Sequence, residues 1–181
     1  MQRKVAFFLV FICGTTLFAG DLFKVGVTSG YFVPSNEIFQ EVYDGDLVYG
    51  LKLGVHVWNG LYAYVSGLQY KKFSETTYTG DITRLTLNPI YLSLRYTAPL
   101  GKANPYVGGG YTYLKFKEES TIGDIEDSGN GYYLEAGIEF NLSSRFILDL
   151  NAGYNSVSIT PFKEEIDLGG AFAGLSFLVV I

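Results

Sequence analysis

The sequence predicts an all-β fold, an eight-stranded antiparallel up-and-down transmembrane β-barrel. Three observations support this prediction: eight blocks of period-two alternation, charges and glycines on the polar faces of those blocks, and aromatic residues at the ends of the apolar faces. Long period-two alternation indicates a strand with two unlike faces. Eight such strands, joined by alternately long and short connections, are typical of an up-and-down barrel.

The first 20 residues have the three parts of a secretory signal peptide. Arg3 and Lys4 form a basic region, residues 5–12 form an apolar core, and residues 15–20 form an exit of small residues. Such a segment is removed from the mature protein, and it is too short to span a membrane as a stable helix. We therefore predict a signal peptide over residues 1–20 and one barrel domain over residues 21–181.

The composition excludes several classes of function. Removal of Arg3 and Lys4 leaves 11 of the 13 basic residues against 18 acidic ones, a net charge of −7. A nucleic-acid partner is not expected, because phosphate binding requires the opposite charge. The only cysteine, Cys13, lies in the predicted signal peptide, and the only histidine is His56. We therefore expect no disulfide, no zinc or other soft-metal site, and no cofactor.

The first three blocks of alternation cover residues 23–33, 47–57 and 61–72. In the second block, Leu51 and Leu53 share one face, while Lys52 and His56 share the other. The face of the third block that we expect to be apolar holds Tyr62, Tyr64, Leu68 and Tyr70. Its expected polar face holds Ala63, Gly67, Gln69 and Lys71.

The fourth block, residues 84–96, changes the phase of its alternation. Leu85 and Leu87 share one parity, whereas Ile90 and Leu92 share the other, and Pro89 lies at the change. Proline cannot donate a hydrogen bond to a neighbouring strand. We therefore predict a β-bulge at Pro89.

The last four blocks cover residues 105–116, 132–140, 146–155 and 170–181. The faces of the fifth block stay unassigned, because both parities hold apolar residues. In the sixth block, Glu135 and Glu139 lie on one face and Leu134 on the other; in the seventh, Asp149 opposes Leu150. Short connections are expected at residues 59–60, 98–104 and 141–144, and long polar ones elsewhere, such as the acidic segment 117–130. Segment 35–46 is expected to form a helical turn or cap over the barrel mouth.

The polar faces are expected to line the lumen, and the apolar faces to contact lipid. Glycines recur four residues apart on the polar faces, and the crowded interior of a narrow barrel needs them more than a surface in water does. Aromatic residues form two expected belts on the apolar faces: Tyr49, Tyr70, Tyr132 and Tyr154 near one rim, and Tyr62, Tyr96, Phe140 and Phe146 near the other. Two such belts are typical of a bilayer environment. The alternative is a secreted lipocalin-type barrel with an apolar cavity.

Three stretches support a family resemblance: LTLNPIYLSLRY at 85–96, PYVGGGYTY at 105–113, and a terminal strand beginning LGGAFAGLSF at 168. On these stretches and on its overall pattern, the chain resembles the small eight-stranded outer-membrane β-barrel proteins of diderm bacteria. Unlike many such barrels, it ends on Ile181 rather than on an aromatic residue. The resemblance implies a location in the bacterial outer membrane. It also implies contacts with outer-membrane lipid, lipopolysaccharide and the outer-membrane assembly machinery, and a monomeric state.

Charged residues on the polar faces are expected to pair inside the lumen, because buried charges survive only when they are paired and hydrogen-bonded. The residues of this predicted network are Lys24, Lys52, Arg84, Arg95, Glu135, Glu139 and Asp149. We interpret the network as structural and the protein as non-enzymatic, with no catalytic residue, and with His56 as a packed lumen residue. The predicted function is a structural or surface-interaction role for a barrel whose lumen is closed by polar side chains.

Two alternatives stay open. The first is a channel or lateral-exit transporter for small solutes, hydrophobic ones included, which predicts an apolar lumen or a gap in strand pairing near Pro89. The second concerns the acidic loop residues 118–127, which are expected to be solvated but could bind calcium, or lipopolysaccharide through bridging divalent ions.

Overall fold

The structure, a computed structural model, describes residues 22–75, 82–121, 123–161 and 165–181, so the predicted signal peptide lies outside the described residues. Within these ranges the chain forms one helix and nine strands. In chain order they are β1 (Phe23–Pro34), α1 (Glu37–Tyr43), β2 (Asp46–Trp58), β3 (Leu61–Glu75), β4 (Ile82–Thr97), β5 (Ala103–Ser120), β6 (Gly123–Asn141), β7 (Phe146–Ile159), β8 (Ile166–Asp167) and β9 (Gly170–Val180).

Eight of these strands close into one antiparallel barrel, which confirms the predicted fold class. The order around the barrel is β6-β5-β4-β3-β2-β1-β9-β7, and pairing of β6 with β7 closes the ring. The two-residue β8 pairs with the end of β7. Closure leaves no strand edge in the ring unpaired, which is the condition for a sheet to be stable in lipid.

The two ends of the barrel differ. The short-turn end holds the connections at residues 59–60, 98–102 and 142–145, together with both ends of the barrel chain, where Phe23 and Ile181 exchange two backbone hydrogen bonds. The opposite, long-loop end holds α1, which confirms the expected cap. The side chain of Asn36 accepts a hydrogen bond from the backbone N–H of Phe39 at 3.1 Å and so caps the helix N-terminus. No helix in the described part of the chain is long and apolar enough to cross a membrane.

The predicted faces of β2, β6 and β7 are confirmed. On β2, for example, Leu51 is 68% exposed on the outer wall, whereas Lys52 is 5% exposed and lies in the lumen. The structure also assigns β5, whose faces the sequence left open. Tyr106 and Leu114 point into the lumen, while Val107 lies on the outer wall.

The predicted faces of β3 are wrong. Tyr64 and Tyr70 are 2% and 1% exposed, while Val65 lies on the outer wall. Tyr62 also faces inward, with the ammonium of Lys24 3.9 Å from its ring centroid. Tyrosine has an apolar ring and a polar hydroxyl, so its position in an alternating pattern does not decide between lipid and lumen.

The predicted bulge in β4 is also wrong. Gly67 pairs with Ile90 and Tyr70 pairs with Leu87, three residues further along each strand, so no residue is inserted. The ladder lacks only the two pairs between these points, next to Pro89, where no N–H is available. One parity therefore faces the lumen throughout β4, and the sequence pattern changes because the lumen itself changes from polar to apolar along the strand.

The acidic segment predicted as a loop is strand over residues 117–120 and 123–130. The pairing of β5 with β6 continues to Ser120 and Gly123, so both strands extend well beyond the barrel wall. Lys117 stabilises this extension, because its ammonium lies 3.0 Å from the carboxylate of Glu126 on the opposite strand and 3.3 Å from that of Glu119. These hydrogen bonds raise the pKa of Lys117 above its ordinary value.

Two lumen glycines make room for inward tyrosine rings. Gly54 pairs with Tyr64, and Gly137 pairs with Tyr106. A Cβ atom at Gly54 would collide with the Tyr64 ring, and one at Gly137 would collide with the Tyr106 ring. The two rings can therefore lie flat across the neighbouring strand and reach the centre of the lumen.

Candidate functional site

Six charged side chains meet in the half of the lumen nearer the short-turn end. We call them the charge cluster: Lys24, Lys52, Arg95, Glu135, Glu139 and Asp149. None is more than 5% exposed, and Arg95 and Asp149 are 0% exposed. With three cations and three carboxylates the cluster is balanced in charge, which is the condition for burying so many ionised groups.

Arg95 is the hub of the charge cluster. Its guanidinium binds Glu135 through two nitrogens, with N–O distances of 2.7 and 3.2 Å. Its Nη1 atom lies 3.3 Å from an oxygen of Glu139 and 3.3 Å from one of Asp149. Arg95 is thus in contact with all three carboxylates, and two-point binding of the kind made to Glu135 fixes the orientation of the guanidinium plane.

The two lysines bind the two carboxylates that Arg95 contacts at only one nitrogen. The ammonium of Lys24 lies 2.6 Å from Glu139, and that of Lys52 lies 3.0 Å from Asp149. Each cation of the cluster therefore has a carboxylate partner at 3.0 Å or less.

Three tyrosines complete the shell around the carboxylates, and sequence reasoning missed their role. The hydroxyl of Tyr64 donates to Glu139 at 3.1 Å, that of Tyr106 to Asp149 at 2.6 Å, and that of Tyr133 to Glu135 at 2.9 Å. The rings of Tyr64 and Tyr106 also flank the guanidinium of Arg95, at 4.2 and 3.7 Å from its Cζ atom. Strand pairing places a glycine opposite each of the three tyrosines, which a single sequence does not show.

The lumen changes character above the charge cluster. Tyr91, Tyr133 and Phe172 form a layer of aromatic rings, with successive centroids 4.4 and 5.5 Å apart. Beyond it lies an apolar plug under the long-loop end. The buried residues of the plug are Phe32, Tyr43, Val48, Tyr70, Leu85, Leu87, Leu114, Phe116, Val157, Ile159 and Leu168.

The helix α1 covers the apolar plug through hydrogen bonds. The hydroxyl of Tyr43 donates to Glu118 at 2.8 Å, and the hydroxyl of Tyr70 donates to the backbone carbonyl of Asp44 at 3.0 Å. Burial, together with the neighbouring carboxylate of Glu118, raises the pKa of Tyr43 above its ordinary value. The neutral hydroxyl therefore donates this hydrogen bond at physiological pH.

A polar vestibule of about 450 Å³ opens below the charge cluster at the short-turn end. The Lys24–Glu139 pair and Tyr62 lie on its wall, with Asn104 and Asn141 nearer the turns. The ring of His56 packs against that of Tyr62, with centroids 4.9 Å apart. The vestibule ends at the charge cluster, so polar space reaches only part of the way through the barrel.

Arg84 is not part of the charge cluster, contrary to prediction. It lies on the outer wall of β4 with its side chain 51% exposed, and its nearest carboxylate is that of Glu119 at 3.6 Å. Because β4 contains no bulge, Arg84 and Arg95 have opposite parity and cannot both point inward.

The predicted aromatic belts lose two members. Tyr62 and Tyr70 lie in the lumen, as described for β3. The remaining predicted residues lie on the outer wall: Tyr49, Tyr132 and Tyr154 near the long-loop end, and Tyr96, Phe140 and Phe146 near the short-turn end. Across the described ranges, no group of three or more His, Cys, Asp and Glu side chains is arranged to hold a metal ion.

Comparison with known proteins identifies the type of fold. A family model described as outer membrane protein beta-barrel domain matches residues 5–177. Among solved structures, neisserial surface protein A is similar with a TM-score of 0.71 at 14% identity, covering 90% of this chain and 98% of the other. The outer membrane protein OprG from Pseudomonas aeruginosa is similar with a TM-score of 0.66 at 16% identity, covering 88% and 95%.

A third similar structure is that of Ail, the attachment invasion locus protein of Yersinia pestis, in complex with the heparin analogue sucrose octasulfate. It has a TM-score of 0.57 at 14% identity and covers 88% of this chain and 97% of the other. At such identities these likenesses concern the fold alone. None of the curated proteins matches the chain.

Proposed function

We propose, from the premise that this chain belongs to the outer membrane protein β-barrel family, that it acts as a closed, non-enzymatic barrel with a structural or surface-interaction role. As a member of this family it is a protein of the bacterial outer membrane. Barrels of this kind have short periplasmic turns and longer extracellular loops. The long-loop end, with α1 and the extended β5–β6 hairpin, would then face the cell exterior.

The observation that supports closure most strongly is the position of Arg95. Its fully buried guanidinium lies between two tyrosine rings and is held by carboxylates from β6 and β7. A solute that passed through the lumen would have to separate these charges, and separating a buried ion pair costs several kcal/mol, on the order of 3–5. The apolar plug is a second barrier to ions at the other end of the lumen.

Planar-bilayer conductance tests the closed lumen. We expect the wild-type protein to give no stable conductance steps. A variant that combines Arg95→Ala and Glu139→Ala with Leu85→Ala and Leu114→Ala should conduct, because these truncations open both the charge cluster and the apolar plug. The matched control Arg84→Ala should stay silent, because Arg84 lies on the outer wall. Stable conductance of the wild-type protein would contradict closure.

Surface labelling tests the proposed orientation. Lys117 lies on the β5–β6 hairpin, whereas Lys102 lies in a turn at the short-turn end. In intact cells, an amine-reactive reagent that cannot cross the outer membrane should label a variant that retains Lys117 but lacks Lys102. It should leave the reciprocal variant far less labelled at that position, as read by peptide mass spectrometry. Preferential labelling of Lys102 would indicate the opposite orientation, with the short-turn end facing the cell exterior.

A second candidate function is a path for small hydrophobic solutes, and two observations favour it. The upper lumen is apolar, and the β3–β4 ladder lacks two pairs beside Pro89. The space lined by Leu87, Pro89 and Leu114 is only about 20 Å³, little more than one water molecule, so α1 would have to move first. Faster uptake of a fluorescent naphthylamine probe by vesicles containing the protein than by empty vesicles would support this candidate, and equal uptake would exclude it.

A further inference from the structure

We infer that the outer wall of β3, β4 and β5, just beyond the tyrosine belt at the long-loop end, binds the phosphate groups of lipopolysaccharide. We call this surface the lysine patch and define it by Lys71, Asn88 and Lys115. It lies on the outside of the barrel, so it is independent of whether the lumen is closed. It rests on the membrane orientation proposed above, in which the long-loop end faces outward.

Strand register brings the three residues of the lysine patch together. Asn88 on β4 is the direct Cα partner of Lys115 on β5. Lys71 on β3 is the partner of Thr86, which lies two residues from Asn88 on the same face of β4. Such diagonal neighbours lie within reach of long side chains, so two ammonium groups can approach one phosphate from either side of the Asn88 amide.

The Asn88 amide is oriented by a chain of hydrogen bonds. The hydroxyl of Tyr49 donates to the side-chain oxygen of Gln69 at 3.0 Å, and the Gln69 amide nitrogen donates to the side-chain oxygen of Asn88 at 3.0 Å. Since this oxygen of Asn88 accepts from Gln69, the NH₂ group is the part of the amide that can donate to a ligand. An NH₂ group between two ammonium groups is a set of donors suited to a phosphate.

The charges of the lysine patch are not neutralised by the protein. Lys71 and Lys115 are exposed, and neither forms an ion pair within 4.0 Å with a described side chain. Lys117, by contrast, is paired with carboxylates of the hairpin, and Arg84 with Glu119. The mature chain has an expected net charge of −7, so an anionic glycolipid would be repelled from most of the protein and attracted here.

The surroundings of the lysine patch favour an amphiphile over a soluble anion. Toward the membrane centre, the same three strands present Val65, Leu92 and Tyr111 on the outer wall, each 43–50% exposed. On the other side, an open groove of about 530 Å³ is lined by Asn88, Lys115 and Lys117 and, on β6, by Glu126 and Asp127. Acyl chains can therefore pack on the apolar strip while the phosphate meets the lysines and the sugar enters the groove. The outward-facing leaflet of this membrane is the one that contains lipopolysaccharide.

Binding of fluorescent diphosphoryl lipid A to the detergent-solubilised full-length mature protein tests the inference. We expect Lys71→Gln with Lys115→Gln to weaken binding roughly 30-fold, since each lysine at a membrane surface contributes about fivefold to binding of an anionic lipid. The matched control, Lys102→Gln with Arg145→Gln, removes the same charge at the short-turn end and should change binding less than twofold. Heat-modifiable gel mobility would establish that both variants are folded.

Lipids of other chemistry distinguish the source of the phosphate. Phosphatidylglycerol and inorganic phosphate should bind more weakly than diphosphoryl lipid A and should be less sensitive to the two lysine substitutions. Three results would overturn the inference: unchanged lipid A binding in the Lys71 and Lys115 variant, equal loss in the control variant, or equal dependence of phosphatidylglycerol binding on the same lysines.

Discussion

The two halves of the lumen close the same barrel by opposite chemistry. Near the short-turn end, the charge cluster joins β1, β2, β4, β6 and β7 through ion pairs that centre on Arg95. Near the long-loop end, the apolar plug fills the lumen with side chains such as Leu85 and Val157, which are 0% and 1% exposed. The outer wall is apolar beside the charge cluster, whereas beside the apolar plug it also holds polar residues such as Lys71, Asn88 and Lys115.

This difference explains why lumen and wall are hard to distinguish in the upper half. Beside the charge cluster, polar residues alternate with apolar ones, and the pattern identifies the inner face directly. Beside the apolar plug the pattern is inverted on β4 and β5, where Leu85, Leu87 and Leu114 face the lumen while Asn88 and Lys115 lie on the outer wall, so the alternation changes phase. The energetic consequence is that the lower half depends on complete pairing of charges, whereas the upper half depends on packing.

Removal of Arg95 from the lower half of the lumen should lower the free energy of unfolding more than the other substitutions. Arg95→Ala leaves three buried carboxylates facing two lysines, and we expect it to lower the free energy of unfolding by about 3–5 kcal/mol. Urea unfolding in lipid vesicles, followed by heat-modifiable gel mobility, measures this change. The control Arg84→Ala removes one exposed arginine and should cost less than about 0.5 kcal/mol. Equal effects of the two substitutions would mean that the charge cluster does not stabilise the barrel.

A cavity in the upper half should have the next largest effect. Leu85→Ala removes a fully buried side chain from the apolar plug, and such truncations lower the free energy of unfolding by about 2–5 kcal/mol, so we expect about 3. Leu92→Ala, on the outer wall of the same strand and 50% exposed, exchanges contacts with lipid only. It should cost less than about 1 kcal/mol in the same assay. A larger loss of unfolding free energy for Leu92→Ala than for Leu85→Ala would mean that Leu92, and not Leu85, faces the lumen.

A methyl group added at Gly54 tests whether the Tyr64 ring stabilises the lower half of the lumen. Gly54→Ala forces the Tyr64 ring away from its place beside Arg95, and we expect a loss of about 1–3 kcal/mol. Gly67→Ala is the matched control on the neighbouring strand, since no atom lies within 4 Å of the position of its added methyl group. Equal unfolding free energies of the two variants would mean that the Tyr64 ring does not face the lumen.

The contact between α1 and the β5–β6 hairpin should give the smallest effect. Tyr43→Phe removes the hydrogen bond to Glu118 and should cost about 1 kcal/mol at neutral pH. Because the pKa of Tyr43 is raised in the folded state, its stabilising effect is complete below the unfolded tyrosine pKa of about 10 and is lost as the pH rises above that value. The difference in unfolding free energy between wild type and Tyr43→Phe should therefore become smaller from about pH 9 to about pH 11, on either side of the unfolded tyrosine pKa of about 10. A constant difference would contradict the contact.

The fold could be predicted from the sequence because closure requires every strand to alternate and the connections to alternate in length. Five members of the charge cluster could also be predicted from the sequence, because ionised residues in the middle of an alternating strand have no acceptable position except the lumen. The sixth, Arg95, was assigned correctly through a bulge at Pro89 that does not exist. The same bulge produced the wrong position of Arg84, because it gave two residues of opposite parity the same face.

The inward tyrosines of β3 could not be assigned from sequence for a physical reason. Tyr64 and Tyr70 bury apolar rings but direct their hydroxyls at Glu139 and at backbone carbonyls of residues 43 and 44. A lipid interface would satisfy the same ring and the same hydroxyl equally well. Only the position of a partner on another strand decides between the two faces, and a single sequence does not contain that distance.

Strand β3 therefore gives the most direct test of the two-part lumen. Single cysteines at residues 63, 65, 66, 67 and 68, in a mature chain expected to contain no other cysteine, can be spin-labelled and measured for collisions with oxygen in lipid vesicles. We expect collision maxima at Ala63, Val65 and Gly67, with minima at Ser66 and Leu68. Maxima at Ser66 and Leu68 instead would put the inner face of β3 in lipid and would contradict the lumen described for this barrel.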